Sequence, residues 1–505
     1  MTEPVTQDAS QGGIETLPGS WAPPGARPIE LVFRTIGERT SELALELALK
    51  HVKPNRAHVM RDVKPWAVAV QRMLQIDHQC SHVVYVDADC LILEDMRPFL
   101  DTNEMPHVDC YVRDRFRGRV HCGVHITRID LIRTMRVFPE PIDNVKYVLS
   151  PEGYLRGRAC AKLGFKKRLK NVHILHDHFQ HYTDIFVKYA RRELRSRRQP
   201  RFRDDLDAWM STWDQSGDCT VAHRAVEHAV SAVLPGASST EVAQYLHSLP
   251  RVAEREVRRL GLSQRGQLTL DEVEDAIGRD PVNLGPTLRD FKVFGIGLSR
   301  TGTLSLTEAL QVIGFDAQHY PTDRATLDTL VRGDARFPLL QHYSGITDIT
   351  VAPYYADLDR AWPGSKFVLT VRDEESWLRS CRDHWERAPA YRVGEDENEE
   401  SRVYMEIKRF LRAAVYASQE FDEERLRRVY RHHVQGVTRY FEGRPRDLLV
   451  LDIAAGEGYE RLAPFLGMPQ PPQPFPHRGN SLTRGGSRLR PTAGTPGSLP
   501  RSGSP

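Results

Sequence analysis

The chain has 505 residues, 40% of them hydrophobic and 27% charged, and a formal net charge of +3 at pH 7. That length exceeds one ordinary core and calls for two or more domains. The near-neutral charge gives no argument for a nucleic-acid partner, no apolar run approaches the roughly 20 residues that cross a bilayer, and seven scattered cysteines without a C-x-x-C pair argue against a disulfide framework or a thiolate zinc site.

Residues 1–27 are polar and rich in Gly and Pro, and are expected to be disordered, because they cannot bury enough apolar surface to offset ordering entropy. They carry neither a basic n-region nor an apolar h-region, so no secretory signal is expected and a reduced, cytoplasmic setting is read. A first α/β block, residues 28–200, opens with the apolar strand Ile29-Glu30-Leu31-Val32-Phe33. A helix over residues 41–51 follows, with Leu43, Ala44, Leu47 and Ala48 at helical spacing, and then the strand His82-Val83-Val84-Tyr85-Val86. Strands alternating with helices predict a mainly parallel sheet. Residues 201–288 are polar and helix-biased, with short helices expected over 226–233, 242–249 and 270–277. They read as a helical connector, with an acceptor-binding subdomain as the alternative. A second α/β block, residues 289–467, has strands at Phe291-Lys292-Val293-Phe294-Gly295-Ile296-Gly297, Lys366-Phe367-Val368-Leu369-Thr370-Val371 and Leu448-Leu449-Val450-Leu451-Asp452. Helices are expected over 304–313 and 375–384. Residues 468–505 are Pro, Gly, Ser and Arg with few aliphatics, and are expected to be disordered.

The second block carries the sharper motif. Gly297-Leu298-Ser299-Arg300-Thr301-Gly302-Thr303-Leu304-Ser305 follows a strand and opens a helix, where backbone N–H groups and the positive end of the helix dipole converge on an anion. The glycine spacing begins like G-x-x-x-x-G-K-[ST]. However, Thr303 stands in the lysine position and Leu304 in the magnesium-binding hydroxyl position, so ATP chemistry is poorly served. The pattern resembles the sulfotransferase superfamily, whose 5′-phosphosulfate loop has Lys or Arg before Thr/Ser-Gly-Thr; Arg300-Thr301-Gly302-Thr303 matches it. The family's 3′-phosphate site is a strand ending in Arg and a Ser on the next helix, matched by Arg372 and Ser380. The resemblance implies binding of the sulfate donor 3′-phosphoadenosine 5′-phosphosulfate (PAPS). Ser299, Arg300, Thr301, Gly302, Thr303, Leu304 and Ser305 would hold the 5′ end, and Arg372 and Ser380 the 3′-phosphate. Arg300 would stabilise charge developing on the leaving phosphate. The proton acceptor would be Asp348, His342 or His319, with Asp348 most like the family's acidic position.

In the first block, the strand over residues 83–86 ends in Asp87-Ala88-Asp89, two carboxylates at i and i+2 that could hold a hard divalent cation. This resembles the D-x-D element of GT-A glycosyltransferases. Lys64-Pro65-Trp66 before the strand, the following run over residues 91–100, and His121-Cys122-Gly123-Val124-His125-Ile126 are in the same style. The resemblance implies a nucleotide-sugar donor with Mn2+ or Mg2+ held by Asp87, Asp89 and a later histidine. That histidine comes from the cluster His173, His176, His178 and His181, with His176 and His178 as candidates. About 170 residues is short for that fold. The basic run Arg191, Arg192, Arg195, Arg197, Arg198, Arg201 and Arg203 reads as a solvated helix end, with a polyanion or membrane-surface contact as the sharper alternative.

The combined expectation is two α/β domains, a GT-A-like nucleotide-diphospho-sugar fold and a P-loop-like parallel-sheet sulfotransferase fold, joined by a helical connector. The function expected is a bifunctional transferase that acts on a carbohydrate or glycosylated small-molecule acceptor. The alternatives are a sulfotransferase with a non-catalytic N-terminal binding module, a P-loop nucleotide kinase, and a scaffold with degenerate sites.

Overall fold

The computed structural model describes residues 12–165, 168–286, 291–388 and 399–477. Among them, the first block forms an eight-stranded sheet. Its strands are β1 (Gly13–Leu17), β2 (Ile29–Thr35), β3 (Arg56–Arg61), β4 (His82–Asp87), β5 (Cys90–Ile92), β6 (His107–Asp114), β7 (Gly118–Arg128) and β8 (Arg168–His176), in spatial order β1-β3-β2-β4-β7-β6-β8-β5. The mainly parallel sheet expected here is corrected to a mixed one. β2 runs parallel to β3 and β4, and β6 to β8, but β1–β3, β4–β7, β6–β7 and β5–β8 are antiparallel. The reason lies in the connections. Helices Ser41–Val52 and Trp66–Leu74 supply crossovers that permit parallel neighbours, whereas β6 and β7 are joined by a short turn that permits only a hairpin.

β2 is buried along its whole length, so its residues alternate between two apolar layers rather than between core and solvent. Leu31 and Phe33 pack with Leu43, Ala44, Leu47 and Ala48 of helix Ser41–Val52. Val32 packs on the other face with Val70 and Met73 of helix Trp66–Leu74 and with Leu131 and Ile132 of helix Ile129–Arg136.

Residues 12–27 correct the expectation of a disordered start. β1 pairs along β3 from Gly13↔Arg61 to Leu17↔Ala57, and Leu17 and Trp21 pack against the core. Ladder hydrogen bonds and this partial burial offset the ordering cost. Residues 1–11 lie outside the described residues. At the other end, residues 468–477 are described, and the Phe475 ring lies 4.9 Å from that of Tyr459; residues 478–505 lie outside.

Between the blocks, helices Pro200–Met210, Gly217–Ala232, Ser239–Arg259 and Leu270–Arg279 follow one another. Val221, Ala225 and Ala229 pack on Ile185, Phe186, Tyr189 and Ala190 of helix Tyr182–Ser196, and on Tyr245, Leu249 and Val252. Leu268 and Val273 instead join the core of the first sheet. Three arginines of the basic run are engaged in this layer. Arg195 Nε donates to Leu149 O at 2.8 Å, Arg197 Nη2 to Ala229 O at 3.1 Å, and Arg203 pairs with Glu193 and Asp207.

The second sheet is wholly parallel: β9 (Val293–Gly295), β10 (Ala317–His319), β11 (Gly345–Thr347), β12 (Lys366–Thr370) and β13 (Leu448–Leu451), in order β10-β11-β9-β12-β13. The chain winds to one side of β9 and then crosses to the other, so β9 and β12 flank the point where the order reverses. In open parallel sheets that crevice, at the carboxyl ends of the strands, is where ligands bind. The sheets adjoin at β8 and β10: Gln318 Nε2 donates to Leu169 O at 3.0 Å, Arg168 Nη2 to Thr322 Oγ1 at 3.0 Å, and Lys170 pairs with Asp316.

Candidate active sites

β9 and β12 are neighbours, with Val293 opposite Lys366, so the loops that follow them lie side by side. The first loop opens helix Thr303–Val312 and the second opens helix Glu374–Arg387. Arg300 has φ 75° and Gly302 φ 106°, conformations that turn successive N–H groups toward one side. Gly297 is required by crowding: a Cβ there would lie 1.9 Å from Thr370 Oγ1. Thr301 Oγ1 closes the base of the loop, donating to Leu298 O at 2.7 Å and meeting Thr370 Oγ1 at 2.6 Å. Leu304 is 42% exposed. It contributes only backbone in the first helical turn, and Ser305 is buried beside it.

The two arginines come together. Arg300 Nε donates to Ser380 Oγ at 3.0 Å, and Arg372 Nη1 lies 3.5 Å from the carbonyl of Arg300. Arg372 is itself oriented by Ser376 Oγ at 2.9 Å from its Nε, and its backbone is held by the Tyr430 hydroxyl. Burial, then the neighbouring Arg387 and Arg372 charges, lower the pKa of Arg300, so this crevice favours an anion. His384 on the same helix is driven down to about 4 by burial and by Arg300, and is neutral at pH 7.

Asp348 is only 5% exposed and sits at φ 80° just past β11. Its carboxylate accepts from Ser299 Oγ at 2.5 Å, Thr303 Oγ1 at 2.6 Å and its neighbour's backbone, Ile349 N, at 2.6 Å. It is therefore committed to shaping the loop. His319, at the end of β10, brings Nε2 to 3.6 Å from Asp348 Oδ2 and Nδ1 to 3.2 Å from Thr347 Oγ1. His342 is not brought here. It precedes β11 and so stands at the opposite end of the strand from Asp348, with Nε2 2.8 Å from Thr102 Oγ1 and its ring against Phe99.

In the first block, the structure separates the two carboxylates of Asp87-Ala88-Asp89. Asp87 is bound by Arg34 Nη2 at 2.8 Å, and Arg34 also holds Glu152 at 2.7 Å. Asp89 has other partners, with Oδ1 3.6 Å from His176 Nε2 and 3.4 Å from Cys90 Sγ. His176 is fixed through Nδ1 by Asp114 Oδ2 at 2.7 Å. Sequence reasoning missed a cation at the centre: the Lys188 ammonium contacts Asp89 and Asp177 and lies 3.3 Å from His176 Nε2. Burial opposes the Lys188 charge, but Asp177 and Asp89 outweigh it and hold its pKa well above the usual value. Burial likewise opposes ionisation of Asp89, and Lys188 and His176 overcome it. His178 is driven to about 3 by burial and by Arg115, so it is neutral; no metal group among the described residues includes it. For a divalent ion, then, Asp89 and His176 could serve as ligands, Asp87 is engaged by Arg34, and the Lys188 ammonium, on Asp89 Oδ2 and beside His176 Nε2, competes with the ion. Lys188 could have been suspected from its i, i+4 spacing to Asp184 on one face of helix Tyr182–Ser196, but its partners come from β8 and the turn after β4.

The C-terminal site is thus a parallel-sheet anion cradle with two adjoining cationic lobes. The family model for sulfotransferase domains matches residues 292–482 of the chain. No match was found among curated proteins. Among solved structures, the chain is similar to a glycosyltransferase involved in glycosylation of the major capsid of PBCV-1, at 10% identity and TM-score 0.22, covering 30% of this chain and 93% of that one. It is also similar to the glycosyltransferase GlyE of Streptococcus pneumoniae TIGR4, at 11% identity and TM-score 0.21, covering 74% of this chain and 94% of that one. No described helix is long and apolar enough to cross a membrane.

Proposed function

We propose that the C-terminal domain transfers a sulfuryl group from PAPS to an acceptor hydroxyl. The observation that carries this reading is the meeting of Arg300, Ser380 and Arg372 at two adjacent strand ends, where one doubly phosphorylated adenosine can bridge both lobes. The acceptor oxygen attacks sulfur in line, the bond from sulfur to the bridging oxygen breaks, and the charge left on the 5′-phosphate falls to Arg300 and the N–H groups of residues 301–305. The acceptor proton passes to His319, and Asp348 keeps Ser299 and Thr303 in place, which fits a carboxylate already accepting three hydrogen bonds. Arg372 takes the 3′-phosphate, and Ser380 retains a hydroxyl proton to donate. The test is transfer of 35S from labelled PAPS to a panel of glycans and glycosylated small molecules; no transfer, together with no binding of the product PAP, would sink the reading. A nucleotide kinase has no observation in its favour, since the Thr303 hydroxyl is taken by Asp348 and no lysine stands in the loop.

A second reading concerns the N-terminal domain. We infer glycosyl transfer from a nucleotide sugar, favoured by the approach of Asp89 and His176 at the loop edge of the mixed sheet. A bound Mn2+ or Mg2+ would neutralise the donor diphosphate there, and Lys188 would contribute a further positive charge. A bifunctional enzyme would then build and sulfate one carbohydrate or glycosylated acceptor, in the cytoplasmic setting that seven unpaired cysteines suit. Nucleotide-sugar binding that persists unchanged in both Asp89→Asn and His176→Gln would count against a catalytic role and favour a binding module.

A further inference from the structure

At the end of β2 and β3 remote from Asp87, three buried side chains converge. Glu30 lies near the start of β2, His58 in β3, and His78 in the segment leading into β4; their side chains are 2%, 5% and 0% exposed. His78 Nδ1 is 2.5 Å and His58 Nε2 3.2 Å from Glu30 Oε2, and the three atoms lie within 4.8 Å of one another. Two imidazoles and one carboxylate are a zinc ligand set. Tetrahedral bonds of roughly 2.0–2.1 Å would place ligand atoms about 3.3 Å apart, so an ion requires the closest pair to open by less than about 1 Å.

The surroundings orient these atoms. Thr16 Oγ1 lies 2.9 Å from His58 Nδ1, a partner that can accept the Nδ1 proton and leave the Nε2 lone pair for a metal. Gln79 N donates to Glu30 Oε1 at 2.8 Å, which keeps Oε2 directed at the histidines. His78 has no second partner among the described residues, its Nε2 being buried and unbonded. The charged group nearest the carboxylate is Arg56, 3.9 Å from Glu30 Oε1 and 43% exposed, which can swing toward solvent when a cation arrives. A cavity of about 790 Å³, lined in part by Thr16, Arg56, His58 and Asp77, borders the cluster at His58. Three protein ligands leave a fourth position for water or a small ligand from that cavity.

We propose that Glu30, His58 and His78 form a divalent transition-metal site, zinc by its ligand chemistry, that ties β2 to β3 and to the segment before β4 and is independent of both transfer sites. The test uses the full chain, purified without a metal-affinity step, stripped with chelator, equilibrated with Zn2+ and desalted. Mass-spectrometric metal counting is expected to find one zinc equivalent that His58→Gln and His78→Gln lose and His176→Gln keeps. Circular dichroism checks that each variant is folded. Should the variants unfold, zinc-edge X-ray absorption of the unaltered protein decides, with two imidazoles at roughly 2.0–2.1 Å expected. No retained zinc, zinc kept by folded His58→Gln and His78→Gln, or a sulfur-ligated spectrum would overturn the proposal. Loss of the same equivalent in His176→Gln would also overturn it, by assigning the ion to the other cluster.

Discussion

Removing Arg372 or Arg300 should separate the two ends of one nucleotide. Arg372 is half-buried, and its guanidinium is oriented by a single hydroxyl, Ser376 Oγ, at 2.9 Å, so its remaining donors can turn to a phosphate. A hydrogen bond to a charged group contributes about 1.5–3 kcal/mol. With tenfold in affinity for every 1.4 kcal/mol, Arg372→Ala should raise the Kd for PAP by about 10–150-fold. AMP keeps the 5′-phosphate and lacks the 3′-phosphate, so its Kd should change by less than about twofold in that variant. Arg300→Ala should weaken PAP and AMP by similar factors, because the phosphate it faces is common to both. Isothermal titration of the two ligands against the two variants and the unaltered protein completes the cycle. Equal loss of PAP and AMP binding in Arg372→Ala would show that Arg372 does not read the 3′-phosphate.

Asp348→Asn deprives the Ser299 or Thr303 hydroxyl of its acceptor and should weaken PAP binding by about 10-fold or more, whereas His319→Gln should leave PAP binding intact and slow single-turnover sulfuryl transfer by about 10²–10⁴-fold. Lys188→Met frees Asp89 and Asp177 from their ammonium. At about 4 Å and an effective dielectric of 20 a unit charge matters by about 4 kcal/mol, so Mn2+ binding followed by electron paramagnetic resonance should tighten at least about tenfold; an unchanged affinity would show that Lys188 does not compete with the ion. Burial and then the Glu38 charge raise the Asp184 carboxyl to about 7. Between its ordinary value of 3.8 and about 7 the folded protein holds a proton that the unfolded chain has released, so stability is lost as pH rises through that window. Asp184→Asn should therefore gain Tm relative to the unaltered protein progressively from pH 4 to pH 8, and a flat difference would contradict the assignment.

The nearness of the loop over residues 297–305 to Arg372 and Ser380 was legible because its signals are local. Residues 297–305 and the pair Arg372 and Ser380 each sit at a strand–helix junction, and adjacent parallel strands bring such junctions together without long-range information. His342 was misplaced for a directional reason: it and Asp348 flank the same three-residue strand and so fall at opposite ends of the sheet. Lys188 and Asp177 were hidden because their meeting depends on β8 pairing antiparallel to β5, next to a helix that begins only at Tyr182. The mixed character of the first sheet was hidden too, since the β6–β7 turn reads Arg115-Phe116-Arg117 and lacks the Asn-Gly or Asp-Gly signal of a tight hairpin. β1 escaped notice because Gly12 and Gly13 dilute its apolar pattern.

The proposed sulfuryl transfer requires one nucleotide to span the crevice between β9 and β12. A crystal structure with PAP tests it most directly. The 5′-phosphate is expected against the backbone of residues 301–305 beside Arg300, and the 3′-phosphate within hydrogen-bond reach of Arg372. PAP found elsewhere, or bound with its 3′-phosphate turned away from Arg372, would contradict it.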